Sequence, residues 1–129
     1  MGKSKSYKLT VDQKAGYVHA VATGPNTVEN ITGYLEELLA VCMARGHRRV
    51  LVEERLAGPR LGLTDVFQIA STMSDRALGL FEAVAFVDVN AVNERNLKFG
   101  ENVAINRGLR ACMFRTVEEA ASWLRAEPV

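Results

Sequence analysis

The sequence predicts a single-domain α/β protein: a mixed, mostly parallel five-stranded sheet with about four helices, in the order ββαβαβαβα. Three observations carry this. Short apolar runs suited to strands alternate with longer stretches of helical periodicity. Helical stretches close on glycine at Gly46, Gly79 and Gly108. The first two strand-like segments are separated only by a turn, so the second strand runs back against the first. Strands alternating with helices need crossovers, and crossovers make neighbours parallel.

In chain order, Tyr7 to Asp12 alternates Tyr7, Leu9 and Val11 with Lys8, Thr10 and Asp12, the period of a half-buried strand. Gln13 to Gly16 is a turn, Tyr17 to Thr23 is a second strand, and Gly24-Pro25 breaks the chain. Asn26 and Glu29 have capping-box spacing and open a helix whose apolar face is Val28, Ile31, Leu35, Leu38, Leu39 and Cys42. Arg49 to Glu53 holds three consecutive apolar residues, Val50, Leu51 and Val52, as a strand covered on both faces requires. In this reading Glu53 ends the strand and Glu54 and Arg55 turn outward.

A loop with Gly58, Pro59 and Gly62 follows, and Thr64 caps the second helix with Asp65 in its first turn. Ser74-Asp75 is a place where that helix can be interrupted. Ala83 to Val87 is a further buried strand that ends on Asp88, and a third helix is expected over Glu94 to Arg107. Leu109 to Phe114 is the fifth strand. Thr116 and Glu119 form the capping box of the last helix, with Val117, Ala120, Ala121 and Leu124 on its buried face.

The 129 residues suit one domain, 7–127, behind a polar tail, 1–6. Gly2 and Ser6 match a myristoylation pattern, but a flexible polar tail explains the same residues. With 16 Lys and Arg against 15 Asp and Glu, the net charge of +1 argues against nucleic acid or anionic membrane as a partner. No apolar run approaches the roughly 20 residues of a membrane span, and no h-region follows the basic start. A cytoplasmic protein is expected. Cys42 and Cys112 read as reduced, buried thiols.

The stretches GPNTVENITGYLEELL (Gly24 to Leu39), RRVLVEERLAGPRL (Arg48 to Leu61), DVFQIAS (Asp65 to Ser71), FEAVAFVDVN (Phe81 to Asn90) and ENVAINRG (Glu101 to Gly108) resemble the STAS superfamily of anti-sigma-factor antagonists. They are more similar to its SpoIIAA-like branch. The resemblance implies a five-stranded sheet with packed helices. It also implies a protein-binding module of the kind that competes for an anti-sigma kinase. Such antagonists carry a switch serine, preceded by aspartate, at the start of the helix after the third strand. Here Gly62-Leu63-Thr64-Asp65 stands in that place, so the candidate phosphoacceptor is Thr64 and the acid follows it.

Open α/β sheets bind ligands outside the carboxyl ends of their strands. The candidate binding rim is therefore Glu54, Arg55, Arg60, Thr64, Asp65, Asp88, Asn90 and Asn93. Glu53, Glu54 and Asp88 have the chemistry of an acid/base pair or of oxygen ligands for a hard cation. Salt bridging to Arg48, Arg55 or Arg60 is the plainer account. No catalytic motif, Walker-type phosphate loop or zinc spacing accompanies them, so no enzyme activity, metal or cofactor is expected. His19 and His47 are expected to be structural or solvated.

Two functions stay open. One is a non-enzymatic interaction module that binds a protein partner at this rim. The alternative is a carrier or sensor for a small apolar molecule or lipid, held between sheet and helices. The hairpin strand leaves an edge that a second copy can pair with, so a homodimer is among the expected partners.

Overall fold

The computed structural model of the chain describes residues 6–59, 61–89 and 94–126. Its elements are β1 (Lys8–Lys14), β2 (Tyr17–Pro25), α1 (Val28–Arg45), β3 (Arg49–Ala57), α2 (Leu63–Ala77), β4 (Ala83–Asp88), α3 (Glu94–Asn106), β5 (Ala111–Phe114) and α4 (Val117–Ala126). The strands lie in the order β1-β2-β3-β4-β5. The β1–β2 pair is antiparallel, and every later pair is parallel. The element order is the expected one, and the hairpin strand β1 is an edge.

Strand alternation divides the sheet into two faces. One carries Val18, Ala20, Ala22, Val50, Val52, Leu56 and Val84 and packs against side chains of α1, α2 and α3. The other carries Leu51, Ala83, Ala85 and Val87 under α4, through Ala120, Ala121 and Leu124. On that side Phe114 and Trp123 pack with ring centroids 5.5 Å apart. The Arg49 guanidinium donates to the Leu124 carbonyl at 2.5 Å, satisfying a carbonyl near the end of α4.

Several boundaries differ from the sequence reading, each for a local reason. β2 does not stop at Gly24-Pro25. It runs on because Gly24 and Pro25 pair with Leu56 and Ala57. Gly24 has φ +131°, and a Cβ there would sit 2.7 Å from the Ser6 carbonyl, so only glycine lets β2 pass the chain entering β1. The same pairing carries β3 four residues past its expected end at Glu53. The cap of α1 is Thr27 rather than Asn26: the Thr27 hydroxyl accepts from the Asn30 N–H at 3.1 Å. Asn26 instead donates its amide to the Pro59 carbonyl at 2.8 Å and ties the loop after β3 to the start of α1.

Thr64 does not cap α2. Gly62 holds that position in extended conformation, without a side-chain hydrogen bond, and the Val66 N–H bonds the Gly62 carbonyl. The helix therefore starts one residue before Thr64 and runs unbroken through Ser74-Asp75. The Thr116 cap of α4 is present: its hydroxyl accepts from the Glu119 N–H at 3.1 Å. Of the expected tail, 1–5 lie outside the described residues, and the Ser6 hydroxyl donates to Asn30 Oδ1 at 2.8 Å. Cys42 is buried, and Cys112 is only partly so.

Candidate functional site: an apolar cavity with an acidic wall

Parity on the two central strands builds the site. Val50, Val52 and Glu54 of β3 and Val84, Phe86 and Asp88 of β4 project toward the three-helix face. The parallel register sets Glu54 directly beside Asp88, and the Val89 N–H bonds the Glu54 carbonyl just beyond them at 3.1 Å. Two carboxylates thus stand together at the carboxyl ends of the strands.

Beneath them the sheet and helices do not close. A cavity of about 200 Å³ lies between the strands and α1, α2 and α3. Its wall is mainly aliphatic and aromatic: Ile31, Leu35 and Leu38 from α1, Val66, Ile69 and Met73 from α2, Phe81, Phe86, Ala104 and Leu109 from the remainder. The second helix is its roof. The backbone neighbours of α2 are chiefly α1 and α3. Only its last turns are buried, at Met73, Ser74 and Ala77. Its first turns stand proud, with Leu63 48% and Phe67 46% exposed. Phe67 leans on Phe99 of α3 at a centroid distance of 6.4 Å. α3 approaches α2 closely at Gly100, where a Cβ would meet Val66 at 3.3 Å.

Tyr34 joins the wall to the carboxylates. It is fully buried on α1, and its hydroxyl donates to Glu54. Burial pushes the Tyr34 phenol well above its usual range, and the charge of Glu54, the hydrogen bond to it and the charge of Asp88 add to the effect. The hydroxyl therefore stays a neutral donor. Tyr34 belongs to the helical stripe that runs through Ile31 and Leu38, a placement its i+3 and i+4 spacing already contains; its polar end hid it from an apolar reading. Glu101 of α3 was likewise missed. It is buried against the β5 edge, accepting from the Met113 N–H at 2.7 Å and from Lys98 Nζ at 2.5 Å. Burial raises its carboxyl, but these bonds outweigh it and leave the pKa lowered.

The expected rim divides. Glu54 and Asp88 come together on the cavity wall. Arg55 falls on the opposite face, beside Glu53, with its Nε 2.5 Å from Glu53 Oε2. There Glu53 also meets His19, Nε2 to Oε1 at 2.8 Å. Glu53 is thus a buried structural partner of two basic side chains. Thr64 and Asp65 are exposed in the first turn of α2 and are not part of the wall. Arg60, Asn90 and Asn93 lie outside the described residues. Among the described residues, no group of three His, Cys, Asp or Glu is placed to hold a metal ion, and no helix is long and apolar enough to cross a membrane.

No family model matches the sequence, and no curated protein matches it. A solved structure does. It is an uncharacterized protein of the DUF3478 family with a SpoIIAA-like fold from Shewanella loihica PV-4. The match covers 96% of this chain and 98% of that one, with a TM-score of 0.56 and 15% identity. The chain has the SpoIIAA-like fold. The SpoIIAA-like architecture expected from the sequence patterns is therefore present over nearly the whole length. At this identity the likeness concerns the fold alone, and the function has to be argued from the cavity.

Proposed function

We propose that this SpoIIAA-like domain is a non-enzymatic carrier or sensor that holds a small apolar molecule between its sheet and α1–α3. The observation that carries this reading is the 200 Å³ cavity itself. Interiors normally pack to crystal-like density. Apolar wall left facing such a space stays unburied, and covering it is worth roughly 25 cal/mol per Å². A ligand recovers that deficit. A dry apolar cavity of about 150 Å³ is enough for a benzene-sized molecule, which fits a small ring or a short alkyl chain here. The wall carboxylates would orient such a ligand rather than transform it.

Titration with a neutral, polarity-sensitive fluorophore such as N-phenyl-1-naphthylamine tests the proposal. We expect saturable binding that is lost when Ala70→Phe fills the wall while circular dichroism stays native. Non-saturable fluorescence, or unchanged binding by the filled variant, would sink it.

A protein-binding role draws on one separate observation, the exposure of Leu63 and Phe67 on the roof helix. With Thr64 exposed between them, phosphorylation would place charge on that surface at a helix N-terminus, where it is favoured. Leu63→Ser/Phe67→Ser should abolish such an interaction without changing fluorophore binding by the cavity.

A further inference from the structure

We infer that β1 is a self-association edge: two copies of this chain pair their β1 strands antiparallel, about a twofold through Thr10, and join their sheets into one. This is independent of what the cavity holds.

The two edges of the sheet differ. β5 ends the strand order on one side and spans only Ala111–Phe114. The Val84 N–H bonds the Arg110 carbonyl, so Arg110 and Cys112 face β4 and the Met113 N–H points away from the sheet. Glu101 Oε2 accepts that N–H at 2.7 Å, so a buried side chain of α3 closes the middle of this edge. β1 ends the order on the other side and is longer, Lys8–Lys14. Its turn at Ala15-Gly16 sets Lys14 against Tyr17. A two-residue turn closes on a hydrogen-bonded pair, and alternation then aims the backbone groups of Lys8, Thr10, Asp12 and Lys14 at β2. Those of Leu9, Val11 and Gln13 point outward. Among the described residues, no hydrogen bond takes these outward groups.

Charge selects the partner and the register. Lysines on an edge strand usually deter pairing. When two β1 strands meet centred on Thr10, Leu9 and Val11 exchange backbone hydrogen bonds, and Lys8 of each copy faces Asp12 of the other. Both side chains are exposed. They fall at non-hydrogen-bonded positions, where facing side chains come closest. Centring on Val11 instead sets Lys8 against Lys14, and centring on Asp12 sets that acid against itself. Centring on Leu9 leaves Lys8 and Asp12 unmatched. The Thr10 register is thus the charge-matched one, and its contact is isologous, closing on a dimer. Leu9 and Val11, half-buried against the three-helix core, continue each other's apolar row across the seam.

Sedimentation velocity of the full chain, from micromolar to near-millimolar concentration, tests this. We expect a reversible monomer–dimer equilibrium. Val11→Pro removes an outward N–H that the fold does not use, a place where an edge strand tolerates proline. It should leave only monomer at every concentration, with a native circular dichroism spectrum. Lys8→Asp and Asp12→Lys should each weaken the dimer at least fivefold. Mixing the two variants should restore a heterodimer of wild-type strength, since every facing pair is then opposite in charge. Both positions are exposed, so the charge variants decide the question even if Val11→Pro is unstable. A wild-type chain that stays monomeric throughout, or charge variants that do not complement each other, would overturn the β1 pairing. So would a dimer that survives Val11→Pro and is lost in Leu63→Ser/Phe67→Ser, which would place the contact on α2.

Discussion

The two faces of the sheet solve the same packing problem differently. Under α4, Leu51, Ala83, Ala85 and Val87 pack against one helix, and the buried acid of that face, Glu53, is matched by His19 and Arg55. Under α1–α3, comparable aliphatic residues line a cavity, and the neighbouring acid, Glu54, faces it beside Asp88. Two adjacent glutamates thus take opposite roles because a strand turns successive side chains to opposite faces. The charge cluster after Val52 is two clusters, separated by the thickness of a sheet.

The largest expected effect breaks the contrast sterically. Ala85 is fully buried under α4, and Ala85→Leu should overpack that face at a cost of about 1–3 kcal/mol. Ala70→Leu on the cavity wall should cost almost nothing or stabilise by up to about 1 kcal/mol, since it fills space. Urea unfolding of the two variants compares them directly; equal destabilisation would mean that both faces are packed alike.

The next contrast is between the two glutamates. Glu53 is 5% exposed and bonds two basic partners, while Arg55 is 54% exposed, which weakens its share. We expect Glu53→Gln to destabilise by about 2 kcal/mol, within the range for hydrogen bonds to charged groups. Asp88→Asn, at a half-buried position, should cost less.

Alkaline unfolding sharpens the comparison further. The three-helix face holds Tyr34, whose phenol is raised by burial first, then by Glu54. At its margin, Tyr7 is pushed up to about 12 by burial and by its hydrogen bond to Glu37. Cys42 is raised to about 11, burial exceeding the opposing pull of Arg45. A folded pKa above the unfolded one means that the unfolded chain loses its proton first. The stability these groups contribute is present in full below their unfolded values of 9 to 10 and is lost as pH rises through the folded values. Melting temperature should therefore fall from about pH 9 upward, and Tyr34→Phe should flatten part of that slope while costing about 1 kcal/mol at neutral pH.

The smallest effects concern three threonines at helix starts. Thr27→Ala and Thr116→Ala should each cost about 1 kcal/mol, because each hydroxyl caps a helix. Thr64→Ala should fall within about 0.5 kcal/mol of wild type, as an exposed residue inside the first turn. Thermal melts of the three variants check the ordering.

Much of this was legible in the residues, and the misses share a cause. Apolar periodicity located all nine elements, and alternation separates Glu53 from Glu54 once β3 continues past Glu53. The rule that ligands gather at strand carboxyl ends brought Glu54 and Asp88 to one rim. What stayed hidden depends on partners distant in the chain. β3 runs on to Ala57 because β2 is there to pair with it. Arg55 left the rim once the strand did not end at Glu53. Tyr34 looked polar, yet its acceptor, Glu54, lies 20 residues away. The cavity itself is a failure of helices to meet a sheet, and no local pattern encodes it.

The central claim is that the three-helix face holds ligand-accessible apolar space and the α4 face does not. Xenon binds dry apolar cavities without regard to head group, so methyl NMR under xenon pressure addresses the claim most directly. We expect saturable shifts at Ile69, Met73 and Val84, with Leu51 and Leu124 unmoved. Shifts of equal size on both faces, or none that saturate, would contradict it.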